Sequence, residues 1–79
     1  LTPGQCRAAR AMLDWNRKTL STKAGVAQAT ISDFELRKRR PYPRTLRDLR
    51  AAFEAAGITF LDDDPPGLRA PDDSPGAGG

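Results

Sequence analysis

The 79-residue chain has no histidine and a single cysteine, Cys6. One cysteine excludes an intrachain disulfide framework, and without histidine a zinc cluster loses its commonest ligand. The usual general base is missing too, and no paired carboxylates are spaced to share a pocket. The chain therefore reads as a non-enzyme for which no metal and no cofactor is implied. Cys6 itself reads as a small buried apolar residue rather than a reactive thiol. No apolar run approaches the roughly 20 residues needed to cross a bilayer. The charged-then-apolar pattern of a secretory leader does not occur either. The expectation is a cytoplasmic protein with no membrane partner. At this length, one small domain with a marginal core is the starting point.

What is present is charge, unevenly placed. Residues 1–60 hold twelve Lys/Arg and five Asp/Glu, whereas residues 61–79 hold one and five. A basic body with an acidic end points to an anionic partner for the body. Asp62, Asp63, Asp64, Asp72 and Asp73 are then expected to compete with that partner for the basic face.

Four helices are legible. Residues 1–15 open with Thr2, Pro3 and Gln5, a capping box with proline at the first helical position. Cys6, Ala9 and Leu13 then recur at helical spacing with Met12 beside them. Residues 16–25 form a short second helix, capped by Asn16 and ended by Gly25, with Leu20 and Ala24 inward. Residues 27–37 form the third, anchored by Ile31 and Phe34. Residues 44–57 form the fourth, with Leu46, Leu49, Ala52, Phe53 and Ala56 on one face and Gly57 as its stop. Trp15 reads as core or core-edge. The run ITFL, residues 58–61, is β-prone, a candidate edge strand. The Asp-, Pro- and Gly-rich remainder, residues 62–79, reads as mostly disordered.

Alanine 24 and Gly25 to Ala27 leave too short a link for the second and third helices to lie flat and antiparallel. A left-handed Gly25 sets them at a steep angle, which is a helix-turn-helix. Ile31 and Phe34 hold the third helix, and Gln28, Ala29, Ser32 and Asp33 are free to read a groove. Gln28 suits a bidentate contact to adenine, Ser32 several bases, and Ala29 either a thymine methyl or mere close approach. Asp33 either accepts from a cytosine amine or stands solvated near Arg37. Lys38, Arg39, Arg40 and Arg44 are either a solvated basic surface or phosphate contacts supplying affinity and register. Tyr42 either bonds a phosphate or packs on Pro41.

The pattern Leu20, Ser21, Ala24-Gly25-Val26, then Thr30-Ile31-Ser32 and Glu35 resembles the Cro/CI-type (XRE family) helix-turn-helix domain of phage repressors and bacterial regulators. The flanking RRPYPRTLRDLRAAFEAAGITF resembles small stand-alone bacterial regulators of the same family, so the likeness runs over roughly residues 2–60. It implies an all-α, four-helix, lambda-repressor-like fold with a short β-prone C-terminal segment. The implied division is a DNA-binding domain over residues 1–57, an extension and candidate dimer contact over 58–70, and a disordered tail over 71–79. The implied function is sequence-specific binding of duplex DNA by a transcriptional regulator, a repressor acting as a homodimer. Its recognition helix, residues 28–36, would lie in the major groove.

The resemblance also assigns roles. Arg17 opens the second helix where the family usually has Gln, and is expected at a phosphate. Ala27 stands where Ser or Thr often caps the third helix. The LRKRR that follows Glu35 replaces a usual Gly or Asn, so a longer or differently angled helix end is expected. Arg10 and Glu35 occupy positions the family often pairs, an ion pair that orients the recognition helix; the local alternative is Arg10 with Asp14. A different reading is an antitoxin-like protein-interaction module, using the 58–61 strand to pair with a twin or a partner's sheet.

Overall fold

Thr2 starts the chain's first helix by a reciprocal pair of bonds. Its Oγ1 accepts from the Gln5 amide at 3.0 Å, and its own amide donates to Gln5 Oε1 at 2.9 Å. In the computed structural model, which describes residues 1–61 and 67–69, α1 runs Pro3–Leu13 and α2 Arg17–Ala24. They are followed by α3, Gln28–Glu35, and α4, Pro43–Ala55, then by strands β1, Thr59–Leu61, and β2, Gly67–Arg69. Asn16 caps α2, its Oδ1 accepting from the Thr19 amide at 2.7 Å. The fourth helix begins one residue before the expected Arg44, because Pro43 takes the first helical position, where a missing N–H costs nothing.

All four helices end in the same kind of turn. A residue just past the helix, the cap itself at α1 and α2 and the next residue at α3 and α4, takes a left-handed backbone, and the amide beyond it reaches back five residues. At α1 this residue is Asp14 (φ 56°) and Trp15 N–H donates to Arg10 C=O. At α3 it is Arg37 (φ 58°), and Lys38 N–H donates to Asp33 C=O at 2.8 Å. So α3 is not lengthened by its LRKRR sequence: it stops at Glu35, with Leu36 as its cap. Gly25 serves at α2 with φ 68°. A Cβ there would meet nothing within 4 Å, so the position needs glycine's backbone freedom and not its small size.

The core gathers Cys6 and Ala9 of α1, Leu20 of α2, Val26 of the turn, Ile31 and Phe34 of α3, and Leu49 and Phe53 of α4. α2 packs on both α3 and α4, and α1 packs on α3 and β2. Phe53 is the hub of the aromatic side. Trp15 stacks on it at 5.8 Å, and Phe60 meets it edge-on at 6.0 Å. Met12, expected beside the inward stripe of α1, is instead 47% exposed. It stands at the rim of the arc that Gln5, Cys6 and Ala9 bury.

The C-terminal extension differs more from expectation. The expected edge strand is present as β1, and Ile58 and Phe60 also join the core. β1 pairs antiparallel with β2 of the same chain, Phe60 opposite Leu68. Residues 67–69 are thus a strand inside the 58–70 extension, within the stretch 62–79 whose composition reads as mostly disordered. Its average composition hides one large apolar residue, Leu68, which packs against the core and gives the hairpin its inner face. The acidic residues 62–64, 72 and 73 lie outside the described residues, and with them the expected competition for the basic face. Among the described residues no helix is long and apolar enough to cross a membrane.

Candidate nucleic-acid interface

The third helix has eight residues and a narrow buried stripe. Ile31, Phe34 and Glu35 point inward. Gln28, Ala29 and Leu36 are exposed, and Ser32 and Asp33 half-buried. At about 100° per residue these five share one outward arc of about 140°. The arc carries no Lys or Arg.

Positive charge lies beyond the two ends of α3. Past its C-terminus, Arg37, Lys38, Arg39 and Arg40 line a groove of about 400 Å³ whose other walls include Thr2, Phe34 and Leu46. Past its N-terminus, Arg44 shares a second groove with Ala27, Thr30 and Tyr42. The structure therefore brings Lys38, Arg39 and Arg40 together and sets Arg44 apart from them. Tyr42 is 81% exposed and does not pack down on its neighbours.

Glu35 fixes the orientation of the arc. Its side chain is fully buried and its carboxylate accepts four hydrogen bonds. Arg10 grips it with two prongs, Nη2 to Oε1 at 2.6 Å and Nε to Oε2 at 2.8 Å. Arg17 Nε donates to Oε1 at 3.0 Å, and the Cys6 thiol to Oε2 at 3.1 Å. The local Arg10–Asp14 alternative is displaced, because Asp14 turns away into the left-handed position that ends α1. Among the described residues no buried side-chain nitrogen or oxygen lacks a partner. That condition matters for an ionised group removed from water, whose burial is costly unless it is paired and bonded.

The electrostatics follow from this geometry. Burial alone would raise the Glu35 carboxyl, but the bonds from Arg10, Cys6 and Arg17 outweigh it and hold the group below the usual carboxylate range. Burial, and then the bond to Glu35, push the Cys6 thiol far up, which makes it an unreactive donor. The bond to Glu35 raises the Arg10 guanidinium, overcoming a smaller opposing effect of burial.

Arg17 directs two of its nitrogens inward while its side chain stays 36% exposed. Besides Glu35, its Nη1 lies 3.4 Å from Ser32 Oγ, a long bond that ties the first residue of α2 to the outward arc of α3. A guanidinium serves here because its fork reaches two acceptors at once. Two participants escaped sequence reasoning. Arg7 Nη1 donates to the backbone carbonyl of Glu35 at 2.6 Å, closing the C-terminal end of α3 from across the domain. Cys6 contributes its thiol proton. Both are on α1, 28 and 29 residues from Glu35. The one available signal is their helical spacing with Arg10, which puts the three on neighbouring turns.

The sequence model of the helix-turn-helix family matches residues 7–59, from the middle of α1 to the start of β1. No curated protein matches the chain.

Proposed function

The chain belongs to the Cro/CI-type helix-turn-helix family of DNA-binding transcription regulators, and we propose that it binds a specific duplex sequence with α3 in the major groove. One observation carries this reading. The outward arc of α3 is free of bulk at its N-terminal half and carries one charge, Asp33 at its edge, while cationic groups flank both helix ends. A duplex seated on those flanks meets the arc with its base edges. Gln28, Ala29, Ser32 and Asp33 then read bases, and Lys38, Arg39, Arg40 and Arg44 bind phosphates and set register. Arg17 acts mainly by holding Ser32 and Glu35, so that the arc is presented at a fixed angle.

The chain acts as a repressor and as a homodimer, placing two α3 helices about 34 Å apart on one face of the DNA. The antitoxin-like alternative would have to use the other edge of β1, since one edge is paired with β2 and Ile58 and Phe60 are buried in the core.

Selection of bound duplexes from a random pool at near-physiological salt tests the proposal. An enriched inverted repeat is the expected result. A single enriched half-site supports specific monomeric binding. No enrichment by a folded sample overturns sequence-specific binding.

A further inference from the structure

Leu36 is a large apolar side chain on the outward arc of α3, and it is 52% exposed. Its backbone has a structural duty, since its amide donates to Ser32 C=O at 2.9 Å and closes the helix. Its side chain has none in that turn. Ala29, also exposed, lies seven residues earlier. Seven residues are two helical turns, so the two side chains stand in one line about 10 Å apart. That distance is about three base-pair steps of a duplex. The centre line of the arc is thus apolar at both ends, with Ser32 between them and Asp33 to one side.

Cationic groups beyond both ends of α3 complement phosphate, and the arc itself carries none, so a bound duplex is pressed against this line by charges outside it. The one apolar group that a base pair offers in the major groove is the C5-methyl of thymine. 5-Methylcytosine presents the same methyl. A leucine placed over a carbonyl or amine edge instead removes water from that group without replacing its hydrogen bond.

Resting on the DNA-binding reading above, we infer that Leu36 is a specificity residue that packs on a thymine C5-methyl about three base pairs from the pair met by Ala29. The chain accordingly prefers sites with thymine at that position and disfavours those presenting a bare polar edge there.

Three random pools test this with the unaltered protein: one with thymine, one with uracil in its place, and one with thymine and with every cytosine methylated. The expected result is a motif containing thymine in the first pool. The same duplex with uracil at the Leu36 position should bind about fourfold more weakly, the equivalent of one buried methyl-sized group. Equal affinity for thymine and uracil duplexes overturns the inference while leaving sequence-specific binding intact. No enrichment in any pool overturns both. A motif that moves to methylated cytosine in the third pool overturns the choice of thymine. The Leu36→Ala variant, whose altered side chain is outside the core, should melt as the parent does and lose the thymine-over-uracil ratio. If it weakens both duplexes equally and keeps the ratio, Leu36 is not the contact.

Discussion

The two ends of α3 are built by opposite rules. At the C-terminal end Glu35 is fully buried, four donors fill its carboxylate, and Arg7 takes its backbone carbonyl. At the N-terminal end Ala27 offers no side-chain cap, and Gln28 and Ala29 are exposed. An eight-residue helix is too short to persist alone in water, so tertiary contacts must hold it. Here they hold it from one end. Ile31 and Phe34 supply burial, and the Glu35 cluster fixes rotation and tilt. The other end keeps its first amide N–H groups open, together with the positive end of the helix dipole. In a DNA-binding protein that is a useful division. Order is concentrated away from the tip of the helix, and under the proposed function the bare tip is what phosphate and bases would meet.

Glu35→Gln should do the most damage to the anchored end of α3. The variant puts an amide NH₂ among the donors of Arg10, Arg17 and Cys6 and leaves cationic groups without their counter-charge. Losing one partner of a buried ion pair costs about 3 kcal/mol. For a domain of this size that lowers Tm by about 12–24 °C. Thermal unfolding followed by circular dichroism checks it. A drop of only a few degrees would mean that the cluster contributes little and that Ile31 and Phe34 alone hold α3.

Acid does the same thing reversibly. The folded Glu35 carboxyl lies below its ordinary value of 4.5. A depressed carboxyl contributes stability that is fully present above its unfolded pKa. That stability is lost as pH falls through the folded value. Between pH 7 and 5 the contribution of Glu35 should be nearly flat, with a decline setting in below its ordinary value of 4.5. Urea denaturation across this range, on the parent and on Glu35→Gln, isolates the effect, since the variant should lack that part of the decline.

The same contrast explains how much could be read in the sequence. Helix starts were legible because capping is local: Thr2 and Gln5, or Asn16 and Thr19, lie within one turn of each other. The outward arc of α3 was legible because helical period and two apolar anchors determine it. The Glu35 cluster was only partly so. Arg10 and Glu35 could be paired through family resemblance, but Cys6 and Arg7 reach Glu35 across the domain, and nothing local marks them. Cys6 read as a plain core residue since apolar burial and a donated thiol proton leave the same trace in a sequence. Arg17 read as a surface cation for a similar reason: its inward turn is decided by the carboxylate it meets. The β hairpin was hidden by composition, its strand β2 resting on Leu68 in a stretch of Asp, Pro and Gly.

The open end of α3 can be closed to sharpen the comparison. In Ala27→Ser a hydroxyl is placed at a cap position whose backbone is already extended, φ −60° and ψ 141°. It can accept from an amide of the first turn and should add about 1 kcal/mol. Under the proposed function the same hydroxyl satisfies an N–H that DNA phosphate would otherwise meet. Stability should then rise while affinity for the selected duplex stays level or falls slightly. If stability does not change, the first turn of α3 is already satisfied and the asymmetry drawn above is weaker than the hydrogen bonds suggest.

The smallest effect belongs to the other end. Arg37 sits at φ 58°, a conformation in which a side chain other than Gly or Asn is strained. Its backbone makes the turn that stops α3, its amide donating to Phe34 C=O at 3.1 Å. The residue also lines the basic groove with Lys38, Arg39 and Arg40. Arg37→Asn relieves the backbone strain and should raise stability by about 0.5–1 kcal/mol, read as a small increase in Tm. It also removes one positive charge from the face proposed to meet DNA. The dependence of log affinity on log salt should then flatten by up to about 0.9, the share of one phosphate contact. A rise in stability with a flatter salt slope means that this position carries a charge for binding at the expense of its own turn. A rise with an unchanged slope would remove Arg37 from the DNA contact and leave only Lys38, Arg39 and Arg40 on that flank. A fall in stability would show that the left-handed turn is held by the arginine side chain itself rather than endured by it.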